Sequence, residues 1–194
     1  RLKVGFVLLV SMYGADEPDF LFGQQFKDIE EAIKSEADFK TYCILRPQYY
    51  VQNLLLLKDM IKKGQLPVPI GSGKFAPIDA DDMGLAACKI LKEPSKHQGK
   101  CYSLTGPVAM STEEMANKLS ELVGQEVKAS DDAAIAKAHL KQSIPATELL
   151  GVLEFYQVVA AGKLNECTED AEKLLGTKGT TFEQWAKEHM DFFK

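Results

Sequence analysis

The chain opens RLKVGFVLLVSMYGADEPD, and the apolar run from Val4 to Val10 restricts the possible folds more than any other stretch. Two cations precede it and a polar loop follows at once, so it reads either as the core of a secretory signal or as a strand inside a domain. Its seven residues fall far short of the roughly 20 that cross a bilayer. They also sit at the short end of a signal core, which runs about 7–15 residues. β-Branched and aromatic residues without alternation describe a strand covered on both faces of a parallel sheet, and we read the run that way. No initiator Met precedes it, which fits either a few trimmed residues or a C-terminal piece of a larger parent.

Strands and helices alternate from there. Phe22, Phe26, Ile29 and Ile33 share one face of FGQQFKDIEEAIKSE, with Gln24, Lys27, Glu30, Glu31 and Lys34 elsewhere, which predicts an amphipathic helix. KTYCILRP reads as a second strand ended by Pro47. YYVQNLLLLKDMIKKGQ reads as one apolar helix with cations in its last turn and Gly64 at its end. This β-α-β-α order suggests a parallel sheet with crossover helices.

LPVPIGSGKFAPID holds too many Pro and Gly for a helix and predicts two extended pieces around a Gly-Ser-Gly turn. DADDMGLAACKILKEP predicts a helix with an acidic start, stopped by Pro94, and GKCYSLTG another short strand. A capping box from Ser111 to Glu114 opens the next helix, which closes at Gly124. Beyond residue 126 the pattern is mainly helical, with a second capping box expected from Thr180 to Glu183. No repeat or low-complexity linker interrupts it.

At 194 residues, 45% hydrophobic and 26% charged, the chain has the composition of an ordinary globular domain. A chain of this size buries roughly 70% of its unfolded surface. A net charge of −5 argues against a nucleic-acid footprint, which clusters Lys and Arg. Cys43, Cys88, Cys101 and Cys167 form no C-x-x-C pair and have no His beside them. They read as reduced, buried thiols and not as metal ligands.

Two stretches carry a specific resemblance: LRPQYYVQNLL, and about thirty residues later FAPIDADDMGLAACKILKEPSKHQGKCYSLTGPVAMSTEEMANKLSELVGQEV. They closely resemble the NmrA-like family of atypical short-chain dehydrogenase/reductases, as do FYQVVAAGKLN and TTFEQWAKEHMDFF further on. The resemblance implies an α/β fold: the C-terminal part of a Rossmann-type doubly wound parallel sheet, plus a small, mainly helical lobe for substrate or partner. Residues 1–65 would be the remnant of the NAD(P)-binding domain. Residues 66–194 would form the mixed segment and lobe, with strands near 74–78 and 100–105 returning to the sheet. GFVLLVS matches the family's fifth strand, so about a hundred residues that usually come first do not stand in this sequence.

The resemblance also implies NADP(H) or NAD(H) as cofactor of the full-length parent. The family's glycine-rich turn, which holds the pyrophosphate on a helix N-terminus, has no counterpart here. Gly71-Ser72-Gly73 stands between extended pieces and reads as a turn. At the nicotinamide side, the resemblance assigns cofactor contacts to Ser11, Met12, Lys27, Pro47, Gln48 and Tyr49. Lys27 is also the candidate catalytic group, and Tyr50, Asn53 and Phe155 are assigned to the substrate pocket.

Each assignment has a plainer reading beside it. Lys27 could be a solvated charge paired along its helix, Phe155 and Tyr156 could be core, and Asp82 reads as a helix-start carboxylate. His97, His139 and His189 read as surface residues. Four residues before Lys27, where typical short-chain enzymes place a proton-shuttling Tyr, stands Gly23. That departure favours a dinucleotide-dependent redox sensor or regulator. The alternatives are an NAD(P)H-dependent oxidoreductase acting on a quinone or small carbonyl, and a truncated non-catalytic binder. Expected partners are the dinucleotide and a second copy or another protein over the open sheet edge, without nucleic acid or membrane. The expected location is cytoplasmic, or nuclear for a regulator.

Overall fold

The first apolar run pairs as a parallel strand. The computed structural model describes residues 4–17, 20–35 and 41–194. Pro18 and Asp19 of the first polar loop, Glu36 at the expected end of the first helix and Lys40 at the start of the second strand lie outside the described residues. The strands are β1 (Val7–Val10), β2 (Tyr42–Pro47), β3 (Gln65–Pro67), β4 (Cys101–Leu104) and β5 (Lys128–Ser130). β1, β2 and β4 form a parallel sheet in that order, and β3 pairs in parallel with β5. Val7 lies opposite Tyr42 and Val10 opposite Leu45, while Ile44 faces Cys101 and Pro47 faces Leu104.

The strand covered on both faces is β2, where Cys43, Ile44 and Leu45 are fully buried. β1 is at the sheet edge and only half-buried, with Val10 40% exposed. It starts at Val7, three residues later than expected; ahead of it the Gly5 carbonyl is taken by the Thr41 hydroxyl at 2.7 Å. Around 74–78 the chain makes isolated bridges, Phe75 with Met110 and Ile78 with Tyr50, and no strand. Pro77 inside that stretch has no N–H to give a ladder.

The helices are α1 (Leu21–Ser35), α2 (Lys58–Lys62), α3 (Ala80–Lys92), α4 (Thr112–Val123), α5 (Ala133–Leu140), α6 (Ala146–Ala160), α7 (Asp170–Leu175) and α8 (Phe182–Glu188). The apolar helix expected after β2 divides into a 3₁₀ turn, Val51–Leu57, followed by α2. Three residues per turn stack positions i and i+3, and that spacing aligns Val51, Leu54 and Leu57, all buried. The Ser111–Glu114 capping box forms, and Gly124 ends α4 in the left-handed conformation at φ 74°. The second box is shifted by one residue, to Thr181 and Gln184. Thr180 has another task, since its N–H donates to Asp82 at 2.6 Å. Asp82 is therefore a tertiary tie, and the cap of α3 is Asp79.

α1 turns a different side inward from the one its apolar periodicity indicates. Gly23 and Glu30 are buried, Phe22 and Phe26 are half-buried, and Ile29 is 44% exposed. Of the cysteines only Cys43 is buried; Cys88, Cys101 and Cys167 are exposed, contrary to expectation. Burial pushes the Cys43 thiol up to about 11, which keeps it protonated and unreactive.

Two apolar cores result, and the chain crosses between them repeatedly. One joins Cys43, Leu45 and Leu104 of the sheet to Ile78, Ala86, Ile90, Ala171 and Leu174, which brings α3 and α7 onto the sheet. The other is helical, built on Leu54, Leu57, Ile61, Leu119, Val159 and Trp185, and takes in Tyr49 and Phe75.

Candidate functional site

Open α/β sheets bind ligands at the C-terminal ends of their strands, and here β1 and β2 end beside the helical core. The β1–β2 ladder continues past the strands themselves. Ser11 N–H donates to the Leu45 carbonyl at 2.7 Å and Tyr13 N–H to that of Pro47 at 2.8 Å. Between these strand ends, α1 and α6 lies a cavity of about 500 Å³, within the usual range for small-molecule sites.

The structure brings together eight of the residues assigned from the sequence. Ser11, Met12, Pro47, Gln48, Tyr49, Tyr50, Asn53 and Phe155 all line this cavity. Lys27 does not. α1 directs Phe22 and Phe26 into the cavity, and one residue further turns the helix by about 100°, which leaves Lys27 half-exposed beside it. Tyr13, Glu148 and Tyr156 also line the cavity without having been assigned to it.

Aromatic rings make the floor. Tyr49 packs against Phe75 with ring centroids 4.7 Å apart and stacks on Phe155 at 6.0 Å and 17°. Tyr156 lies 6.5 Å from Tyr49. Burial raises the Tyr50 phenol, holds Tyr49 well above the ordinary range and pushes Tyr156 up to about 12. None of the three phenols ionises near neutral pH.

Two assigned side chains are occupied by the protein itself. Gln48 Nε2 donates to the Leu164 carbonyl at 2.8 Å, and Gln48 Oε1 accepts from Ala76 N–H. Its amide ties three segments together and has little left for a ligand. Ser11 Oγ donates to Glu30 at 2.6 Å. Glu30, 1% exposed, also receives Arg46 through Nε and Nη2, both at 2.8 Å, and Lys34 at 3.1 Å. Burial alone would push the Glu30 carboxyl up. The hydrogen bonds from Arg46, Ser11 and Lys34 outweigh burial and hold it at about 2.

This charged cluster behind the cavity wall escapes helical periodicity, which places Glu30 toward solvent. A signal for it exists in the strand: Arg46 sits in a run of otherwise apolar residues, and a cation there needs a buried partner. The three histidines lie outside the cavity, on the Tyr102 hydroxyl, the Leu56 carbonyl and the Trp185 carbonyl. Gly71 and Ser72 form a turn whose Gly71 N–H is held by Asp131 at 2.9 Å, and no helix starts there.

Gly23 is fixed by packing. A Cβ at that position would stand 2.5 Å from the Glu17 carbonyl oxygen and 2.7 Å from the Phe20 ring. No Tyr can occupy it without moving backbone.

The sequence profile of the NmrA-like family matches residues 5–186. The chain belongs to that family. The NAD(P)H azoreductase of Xenophilus azovorans is 27% identical over 194 residues, covering 97% of this chain and 66% of its own length. An NADPH-dependent quinone oxidoreductase of Escherichia coli, solved in complex with NADPH, superposes with a TM-score of 0.85 at 24% identity, covering 97% of this chain and 66% of that one. The negative transcriptional regulator NmrA, in complex with NADP, gives a TM-score of 0.67 at 17% identity over 95% of this chain and 64% of that one. The chain thus spans about two-thirds of the length of these relatives, and its sheet and helices have the Rossmann-like arrangement of the family.

Proposed function

We propose that this NmrA-like chain carries the nicotinamide and acceptor side of an NAD(P)H-dependent reductase whose acceptors are flat aromatic molecules such as quinones. The observation that carries this reading is the aromatic-lined cavity at the ends of β1 and β2. A protein that only senses the dinucleotide has no use for acceptor space beside the nicotinamide. The relatives named as azoreductase and quinone oxidoreductase support the same choice.

The residues present fit the nicotinamide end of a dinucleotide. Ser11, Met12, Pro47 and Tyr49 would hold it, since they line the cavity where the two parallel strands end. When bound, the reduced cofactor supplies a hydride. The chain's own part is to orient the acceptor between aromatic side chains and to exclude water with Phe22, Phe26 and Phe155. Quinone reduction takes up that hydride and one proton from solvent, so it requires no Tyr at position 23. Lys27 is given no part, because it does not line the cavity.

The test is NADPH oxidation by the full-length protein with 1,4-naphthoquinone and an azo dye as acceptors. The reductase reading expects turnover that saturates with acceptor. Tight NADPH binding without turnover on either acceptor would instead favour the sensor.

A further inference from the structure

α6 carries two glutamates, and the fold uses them differently. Glu154 accepts the Leu21 N–H at 2.7 Å and so caps α1. Glu148 stands exposed in the first turn of α6, and among the described residues it has no hydrogen-bond or ion-pair partner. It precedes Val152 by four residues and Phe155 by seven, a spacing that puts all three on one helix face. All three line the cavity, as does Ile144 before them. Along that stripe burial rises from exposed Glu148 through half-buried Val152 to Phe155 at 7%. The Glu148 carboxylate therefore marks the mouth of the cavity.

The charge that lines the cavity is negative. Among the described residues lining it, Glu148 is charged and no Lys, Arg or His accompanies it. Arg46 and Lys34 lie behind the wall, where Glu30 and Asp16 neutralise them. Lys163 is paired with Glu17 at 3.0 Å, and Lys27 stands half-exposed beside the cavity without lining it. On the sheet side Tyr13 lines the cavity, and its phenol is raised by burial and then by the carboxylates of Glu166 and Asp16. An anion at the mouth thus gives up water, meets carboxylates and finds no cation on the lining.

We propose that Glu148 is a specificity-determining residue, which selects flat aromatic acceptors that are neutral or cationic at the cavity mouth and disfavours those carrying a sulfonate or carboxylate there. That the occupant is an acceptor rests on the reductase reading above. The effect requires no hydrogen bond and no single side-chain direction, because a unit charge acts across the several ångströms of a mouth. Glu148 is exposed, so salt weakens the selection.

Three azo dyes of one shape test it: p-dimethylaminoazobenzene bearing, para on the far ring, a sulfonate, a sulfonamide or a trimethylammonium group. Their binding to the full-length protein, without dinucleotide, is read from the shift of the visible band. Desolvation disfavours either ion, so the sign of the field is read from ammonium against sulfonate. Wild type should prefer the ammonium dye. That preference should fall about 5–10-fold in Glu148→Gln, since one charge acts on both ions, and should turn toward the sulfonate in Glu148→Lys. It should also shrink in about 0.5 M salt. Binding of the neutral sulfonamide should stay unchanged throughout.

A preference that survives Glu148→Gln or salt unaltered overturns the proposal. So does a wild type that prefers the sulfonate, a sulfonamide affinity that falls with either variant, or no binding of any dye. The two readings fail separately. Charge selection without NADPH turnover on these dyes keeps the role of Glu148 and removes the reductase. Turnover with binding that ignores charge does the reverse.

Discussion

Arg46 stands between Leu45 and Pro47 in β2, and a guanidinium taken that far from water needs a charge taken with it. Glu30 supplies it through two 2.8 Å contacts, while Asp16 at the surface takes the remaining nitrogen at 3.0 Å. The Glu30 carboxyl is held at about 2 in the folded protein, against about 4.3 in an unfolded chain. A depressed folded value stabilises the protein above the unfolded one. Glu30 therefore contributes on the order of 3 kcal/mol at neutral pH, lost progressively as pH falls from about 4.3 through about 2. Urea unfolding of wild type and Glu30→Gln should show this. The variant should be less stable by roughly 3 kcal/mol at pH 7, and the gap should close toward pH 2. A constant gap would mean that Glu30 stays ionised or is not the titrating partner. Sequence periodicity conceals this pair because a helix pattern scores Glu as solvent-facing, whereas the residue that demands it lies 16 positions away in another element.

The elements were legible where their signals are local. Ser111, Glu114 and Gly124 stand within one helix, and its cap and stop follow from them. Long-range signals were not legible. The first N–H of α1 is capped by Glu154 of α6 at 2.7 Å, 133 residues away. The second capping box shifts because Thr180 is bound to Asp82. Gln48 is the strongest such case. It links the end of β2 to Ala76 and to Leu164, which has φ 61° and is the non-glycine residue in the left-handed region among those described. Gln48→Leu keeps the volume and strands a buried N–H and a carbonyl, each costing roughly 1–3 kcal/mol. We expect a loss of about 2–4 kcal/mol in denaturant unfolding, with two such groups partly re-solvated. Faster amide exchange should appear at Thr168, whose N–H is held at 2.9 Å by Thr105 next to the freed loop. Stability within 0.5 kcal/mol of wild type, the range of ordinary surface substitutions, would show that water replaces the amide without cost.

At the scale of the whole molecule, eight of the nine residues assigned from the sequence line one cavity, although they come from segments more than a hundred positions apart. Family resemblance supplied that set. Periodicity alone could not, because it says which side of an element is apolar and not which two elements leave a gap between them. The gap is shared. Ser11 and Pro47 reach it from the sheet, while Leu140, Val152 and Phe155 reach it from the helical core. A ligand in it must therefore hold both cores together. At a hundred times its dissociation constant, 1,4-naphthoquinone should stabilise the folded protein by about 2.7 kcal/mol. For a chain of this length that is a rise in melting temperature of roughly 5–10 °C. Because the two cores share the cavity, calorimetry should show one transition moving as a unit. Two transitions, of which the ligand moves only one, would place the cavity within a single core and separate the sheet from the acceptor.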